Sequence, residues 1–143
     1  MEALEQVRQL YEGYLTAIQQ LEANRKISDG FLGIGRGPAD HPCNDQFASG
    51  LEKVLGELAR QPDGGQILPV LEYIYECPLD HRELKTAYWM MLAVHGLTPE
   101  LAGRLTAPEA RTLGAWYQEH YLARDRLPVQ EQVVKALKRA GRG

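Results

Sequence analysis

The sequence predicts an all-α fold: an irregular bundle of six to seven helices packed around a central hydrophobic helix at residues 80–95, with a Gly-rich crossover loop at 27–41. Three observations predict it. Apolar residues recur at alternating spacings of three and four, which keeps them on one side of an α-helix. Prolines and capping residues stand where such segments begin. The segments are joined mostly by short turns, which leaves consecutive helices adjacent and antiparallel.

Leu4, Val7, Tyr11, Tyr14, Ile18 and Leu21 form the first stripe, and Leu10, Leu15 and Ala17 widen it beyond a coiled-coil seam. At about 23 residues and 1.5 Å per residue this helix would be ~35 Å long and would pack along at least two others. In residues 27–41, Gly30, Gly33, Gly35 and Gly37 are interspersed with Phe31, Leu32 and Ile34, a composition that sustains no helix. Pro42 then suits the first position of a second helix, with Asp40 or His41 at the cap and Phe47, Leu51, Val54, Leu55 and Leu58 on the buried face.

After the turn at Asp63, Gly64 and Gly65, a third helix carries Ile67, Leu68, Val70, Leu71, Ile74 and Tyr75. It must start at Gly65 or later so that Pro69 lies in its first turn. Pro78 is expected to close it and Asp80 to open the fourth, whose Leu84, Ala87, Tyr88, Met91, Leu92 and His95 run to a stop at Gly96. Being apolar around most of its circumference, this fourth helix is the expected centre of the bundle. Thr98, Pro99 and Glu100 begin a short fifth helix. Thr106, with Glu109 three residues on, has the form of a capping box for a sixth, whose face is Ala110, Leu113, Trp116, Tyr117 and Tyr121. Leu127 and Pro128 begin a seventh, buried through Val129, Val133, Val134 and Leu137. Residues 1–143 read as one domain, with a basic end at 138–143 open to fraying.

Composition narrows the function classes. A chain of 143 residues buries roughly 70% of its unfolded surface and needs neither disulfide nor metal to fold. Lys135, Lys138, Arg139 and Arg142 gather at the end of a chain whose net charge is −3, so the body is more acidic than the total suggests. Such a body disfavours nucleic acid and anionic membranes as partners. The longest apolar run, Ala87 to Val94, has eight residues, against the roughly 20 that cross a bilayer. Met1 to Glu5 lack the basic start of a secretory leader, and Cys43 and Cys77 are expected as free thiols of a reducing cytoplasm.

Four local patterns point to chemistry. Gly33, Gly35, Arg36 and Gly37, followed by Asp40, His41, Cys43 and Asp45, place backbone amides and one cation before a helix start, an arrangement suited to phosphate or carboxylate. They lack the Walker and dinucleotide contexts, and a purely structural crossover explains the same residues. His41, Cys43, Cys77 and His81 offer two sulfurs and two nitrogens for zinc, although only one residue separates His41 from Cys43. Cys43, at a helix start, is the thiol expected to have the lower pKa. Leu101 to Leu105 ahead of the sixth helix suggest a helix-turn-helix, but that helix carries too little positive charge to read DNA. The favoured expectation is a non-enzymatic protein-interaction or scaffold domain of the cytoplasm, self-associating through the first helix. The competing one is a small-molecule or anion-binding domain, with an enzymatic version among its forms, built on the Gly-rich loop and the start of the second helix; no cofactor is expected.

Overall fold

Every described regular element is helical. The computed structural model describes residues 2–28 and 40–142. It comprises α1 (Ala3–Ser28), α2 (Cys43–Ala59), α3 (Ile67–Asp80), α4 (Lys85–Ala93), α5 (Pro99–Ala102), α6 (Ala107–His120) and α7 (Pro128–Gly141). Short 3-10 turns lie at Val94–Leu97 and Ala123–Asp125. The all-α expectation is met, with no strand among the described residues. No described helix is long and apolar enough to cross a membrane.

The stripe on α1 is buried at Val7, Tyr11, Tyr14 and Ile18, one residue per turn, and faces α2 and α3. Against α2 the Tyr14 ring stacks on Phe47, with centroids 4.5 Å apart. Gly50 lets the helices close, since a Cβ there would lie 3.0 Å from Leu10 Cδ2. The predicted face of α2, Phe47, Leu51, Val54, Leu55 and Leu58, is buried throughout. Its C-terminal carbonyls are held from a distant part of the chain: Arg104 Nη1 donates to Leu58 O at 3.2 Å and Ala59 O at 2.9 Å, and Nη2 to Gln61 O at 2.7 Å. A guanidinium at this end also meets the negative pole of the helix.

Two boundaries differ from expectation. Pro78 does not close α3, which continues through it to Asp80. So close to the helix end, Pro78 removes only the amide that would have bonded the Ile74 carbonyl, while the next carbonyl, of Tyr75, accepts the Tyr121 hydroxyl. Asp80 therefore ends α3 instead of opening the next helix. The helix expected over 80–95 is the nine-residue α4, which starts at Lys85 and tightens into a 3-10 turn at Val94. It turns Ala87, Met91 and Leu92 inward while leaving Trp89 55% exposed. Ile67, Val70, Leu71, Ile74 and Tyr75 of α3 are all at 0% exposure.

The second half of the chain is framed by caps. Thr106 Oγ1 accepts from Glu109 N at 3.3 Å and Glu109 Oε1 accepts from Thr106 N at 3.0 Å, the reciprocal pair predicted from sequence. Thr106→Ala should lower unfolding free energy by about 1 kcal/mol, measured as a lower urea midpoint at unchanged slope. An unchanged midpoint would show the cap to be idle. α6 packs on α7, with Gly114 lying 3.4 Å (from a notional Cβ) against Leu137 Cβ. Arg111 Nη1 donates to Gly141 O at 2.7 Å, so the last turn of α7 is capped from α6. Buried residues from all seven helices form one continuous core.

Candidate functional site

Of the residues expected to bind an anion, Gly33, Gly35, Arg36 and Gly37 lie outside the described residues. Asp40, His41, Cys43 and Asp45 are placed together at the start of α2, where Cys43 is buried and the others are exposed. His41 provides the cap: its Nδ1 accepts from Cys43 N at 3.0 Å. Asn44 Nδ2 donates to the His41 carbonyl at 3.0 Å, and Asn44 Oδ1 accepts the Tyr14 hydroxyl at 2.6 Å. The imidazole thus serves the helix end. Burial pushes the Cys43 thiol above its usual pKa and outweighs the opposing backbone hydrogen bond. This reverses the lowering expected from the helix start, because desolvation of a thiolate exceeds the benefit of the dipole.

The proposed zinc ligands are not gathered into one set. Cys77 is buried within α3, its thiol pushed up to about 12 by desolvation against a stabilising hydrogen bond from Tyr73. His81 follows the end of α3 with Nδ1 3.5 Å from Glu83 Oε1. Among the described residues no group of three or more His, Cys, Asp or Glu side chains is placed to hold a metal ion. Of the residues read as a helix-turn-helix start, α5 is a single turn of four residues, and Arg104 is bonded to carbonyls at and just beyond the end of α2.

A polar and aromatic cluster joins α3 to α6. His95 is fully buried, with Nδ1 2.9 Å from the Tyr117 hydroxyl, and its ring lies edge-on to Tyr75 at 4.9 Å. Tyr75 and Tyr117 meet edge-to-face, also at 4.9 Å. The Tyr75 hydroxyl lies 2.6 Å from Thr98 Oγ1, which donates to the His95 carbonyl at 2.7 Å. Burial lowers the imidazole pKa to about 3, against a raising influence from the Ile74 backbone. Ile74 carries the carbonyl that Pro78 deprives of a helical donor. Nε2 has no partner of ordinary hydrogen-bond geometry. Every neighbouring ring is a phenol, and His95, Tyr75 and Tyr117 are closed off from solvent.

Above this cluster the two helices diverge into a furrow. From α3 it is lined by Leu68, Glu72 and Glu76, each four residues beyond the last, and from α6 by Pro108, Thr112 and Trp116 with the same step. A step of four lays side chains in a straight row along a helix. Leu113 and Glu109 complete a cavity of about 380 Å³. Farther along the same two helices lies a second cavity of about 490 Å³, lined by Leu79 from α3 and by Glu119 and His120 from α6. Trp116, in the lining of the first, stacks on His120, in the lining of the second, with centroids 4.3 Å apart. The far end holds Trp89 and Leu122, at 55% and 47% exposure the large hydrophobic side chains most open to solvent among the described residues. From Pro108 to His120 the furrow runs ~18 Å at 1.5 Å per residue.

Sequence reasoning placed Leu68 and Trp116 in the core and did not mark Glu72 and Glu76. The signal was present in the spacing of Leu68, Glu72, Glu76 and Leu79, a mixed row that suits neither a buried face nor a solvated one. Comparison with protein-family models, curated proteins and solved structures returned no match.

Proposed function

We propose that this chain is a non-enzymatic protein-interaction domain that receives an amphipathic helix of a partner in the furrow between α3 and α6. The observation that carries the reading is the pair of straight rows, one per helix, flanking an apolar floor at Leu113, with Trp89 and Leu122 exposed in the cavity beyond. A helix laid in such a groove presents anchors at successive turns. An ~18 Å furrow accommodates about three turns of it. The described surface of α1 holds no large exposed hydrophobic residue, which moves the interaction surface from the first helix to this face.

The test uses a designed peptide about four turns long, with leucines at helical spacing and otherwise alanine and glutamine. The chain has two tryptophans, so in a Trp89→Phe background Trp116 alone reports on the furrow. Saturable binding with a blue shift of Trp116 emission is expected. Leu68→Gln, which removes apolar surface at the half-exposed end of the floor, should weaken binding about tenfold (~1.4 kcal/mol) while leaving the helical circular dichroism unchanged. Absence of any emission change at saturating peptide, or equal binding by the Leu68 variant, would sink the reading.

A further inference from the structure

We infer that the partner helix is cationic at the end that lies over Leu68 and Pro108. The inference rests on the furrow being a docking site, and deepens it by naming the partner's chemistry. The charged groups lining the first cavity are Glu72, Glu76 and Glu109, all carboxylates, with no lysine, arginine or histidine among the lining. Among the described residues the carboxylates paired within 4 Å of a cation are Glu5, Glu83, Asp125 and Glu131, and Glu72, Glu76 and Glu109 are not among them. Glu109 accepts from the Thr106 amide at 3.0 Å.

Apolar docking over this floor would bring the carboxylates toward a drier environment, where an unpaired charge is costly. A neutral helix leaves that cost standing. A helix with lysine or arginine on the flanks of its apolar stripe converts it into attraction and gains a faster encounter. The other end is mixed in charge: Arg82 stands with Glu119 and with Asp125, itself 3.4 Å from Arg124, beside Trp89 and Leu122. The partner therefore has direction, with cations over the second and third turns of α3 and a large apolar anchor toward α4. The chain's own basic helix is not the occupant, since Val133, Val134 and Leu137 of α7 are already buried in the core.

Three peptides with one leucine stripe, flanked by glutamine, lysine or glutamate, are titrated against the Trp89→Phe protein with Trp116 emission as the readout. The lysine peptide should bind about tenfold or more tighter than the glutamate peptide at low ionic strength, with the gap narrowing as salt shortens the screening length. Glu72→Lys with Glu76→Lys should invert the order. Glu12→Lys with Glu57→Lys, the same charge change on exposed positions of α1 and α2, should leave the order intact. Equal binding of all three peptides would overturn the inference and leave the furrow reading standing; binding by none would remove both. Inversion by the Glu12 and Glu57 pair would reduce the preference to net charge and overturn the inference. A blue shift of Trp116 that grows with protein concentration, without peptide, would identify a second copy as occupant and overturn it as well.

Discussion

Tyr75→Ala is expected to lower unfolding free energy by roughly 3–5 kcal/mol, in a domain whose total stability is on the order of 5–15 kcal/mol. The side chain is at 0% exposure, and its ring touches His95 and Tyr117 edge-on. Truncation leaves a cavity where α3 and α6 meet, and neither helix can close it without moving the cluster around His95. Tyr75→Phe keeps the ring and loses only the bond to Thr98 at 2.6 Å, so it should cost about 1 kcal/mol. Urea unfolding of the three proteins checks the ranking. A phenylalanine variant as damaged as the alanine one would mean that the hydroxyl, and not the packed ring, holds this seam.

Stability should also fall as the solution is acidified, through His95. The unfolded imidazole takes up a proton near pH 6.5, whereas the folded ring resists until about pH 3. Between those values the unfolded chain binds more protons, so this contribution is complete above pH 6.5 and is lost as pH drops toward 3. The slope approaches about 1.4 kcal/mol per pH unit. Tyr75, Tyr117 and Tyr121, the rings that face His95, carry no charge anywhere in that window. His95→Gln keeps a polar group beside the Tyr117 hydroxyl and does not titrate. Its unfolding free energy should start lower near neutral pH and decline less steeply on acidification, with the difference between the two proteins isolating His95 from the surface carboxylates. Parallel pH profiles would show that the ring is protonated at no cost in the native fold.

What the sequence made legible was local and periodic. Val7, Tyr11, Tyr14 and Ile18 repeat at the helical period, and Thr106 with Glu109 form a motif complete within four residues. Both are settled by geometry that one helix contains. Pro78 misled because its effect depends on what meets the neighbouring carbonyls, and Tyr121, which supplies a hydroxyl to Tyr75 O, is 46 positions away. The run from Ala87 to Val94 misled because eight apolar residues do not reveal which side another helix will cover, and Trp89 within it is 55% exposed. The furrow was hidden for a related reason. Leu113 and Trp116 share one apolar face of α6, yet the first is buried and the second only partly covered, because α3 stands against one part of that face and away from the rest. Apolar periodicity marks a face for contact and is silent on whether the contact comes from the same chain.

The Arg104 side chain gives the molecule its unity. Its guanidinium sits between α5 and α6 in the chain but grips the final turn of α2, spanning 43 to 46 positions of sequence. The α1–α2 hairpin is therefore held, at the end of α2, by a side chain from beyond the 60–66 connection, and a protease nick in that connection should leave the two fragments clasped there. Reversible exchange of that hairpin between molecules would have to begin by surrendering the clasp.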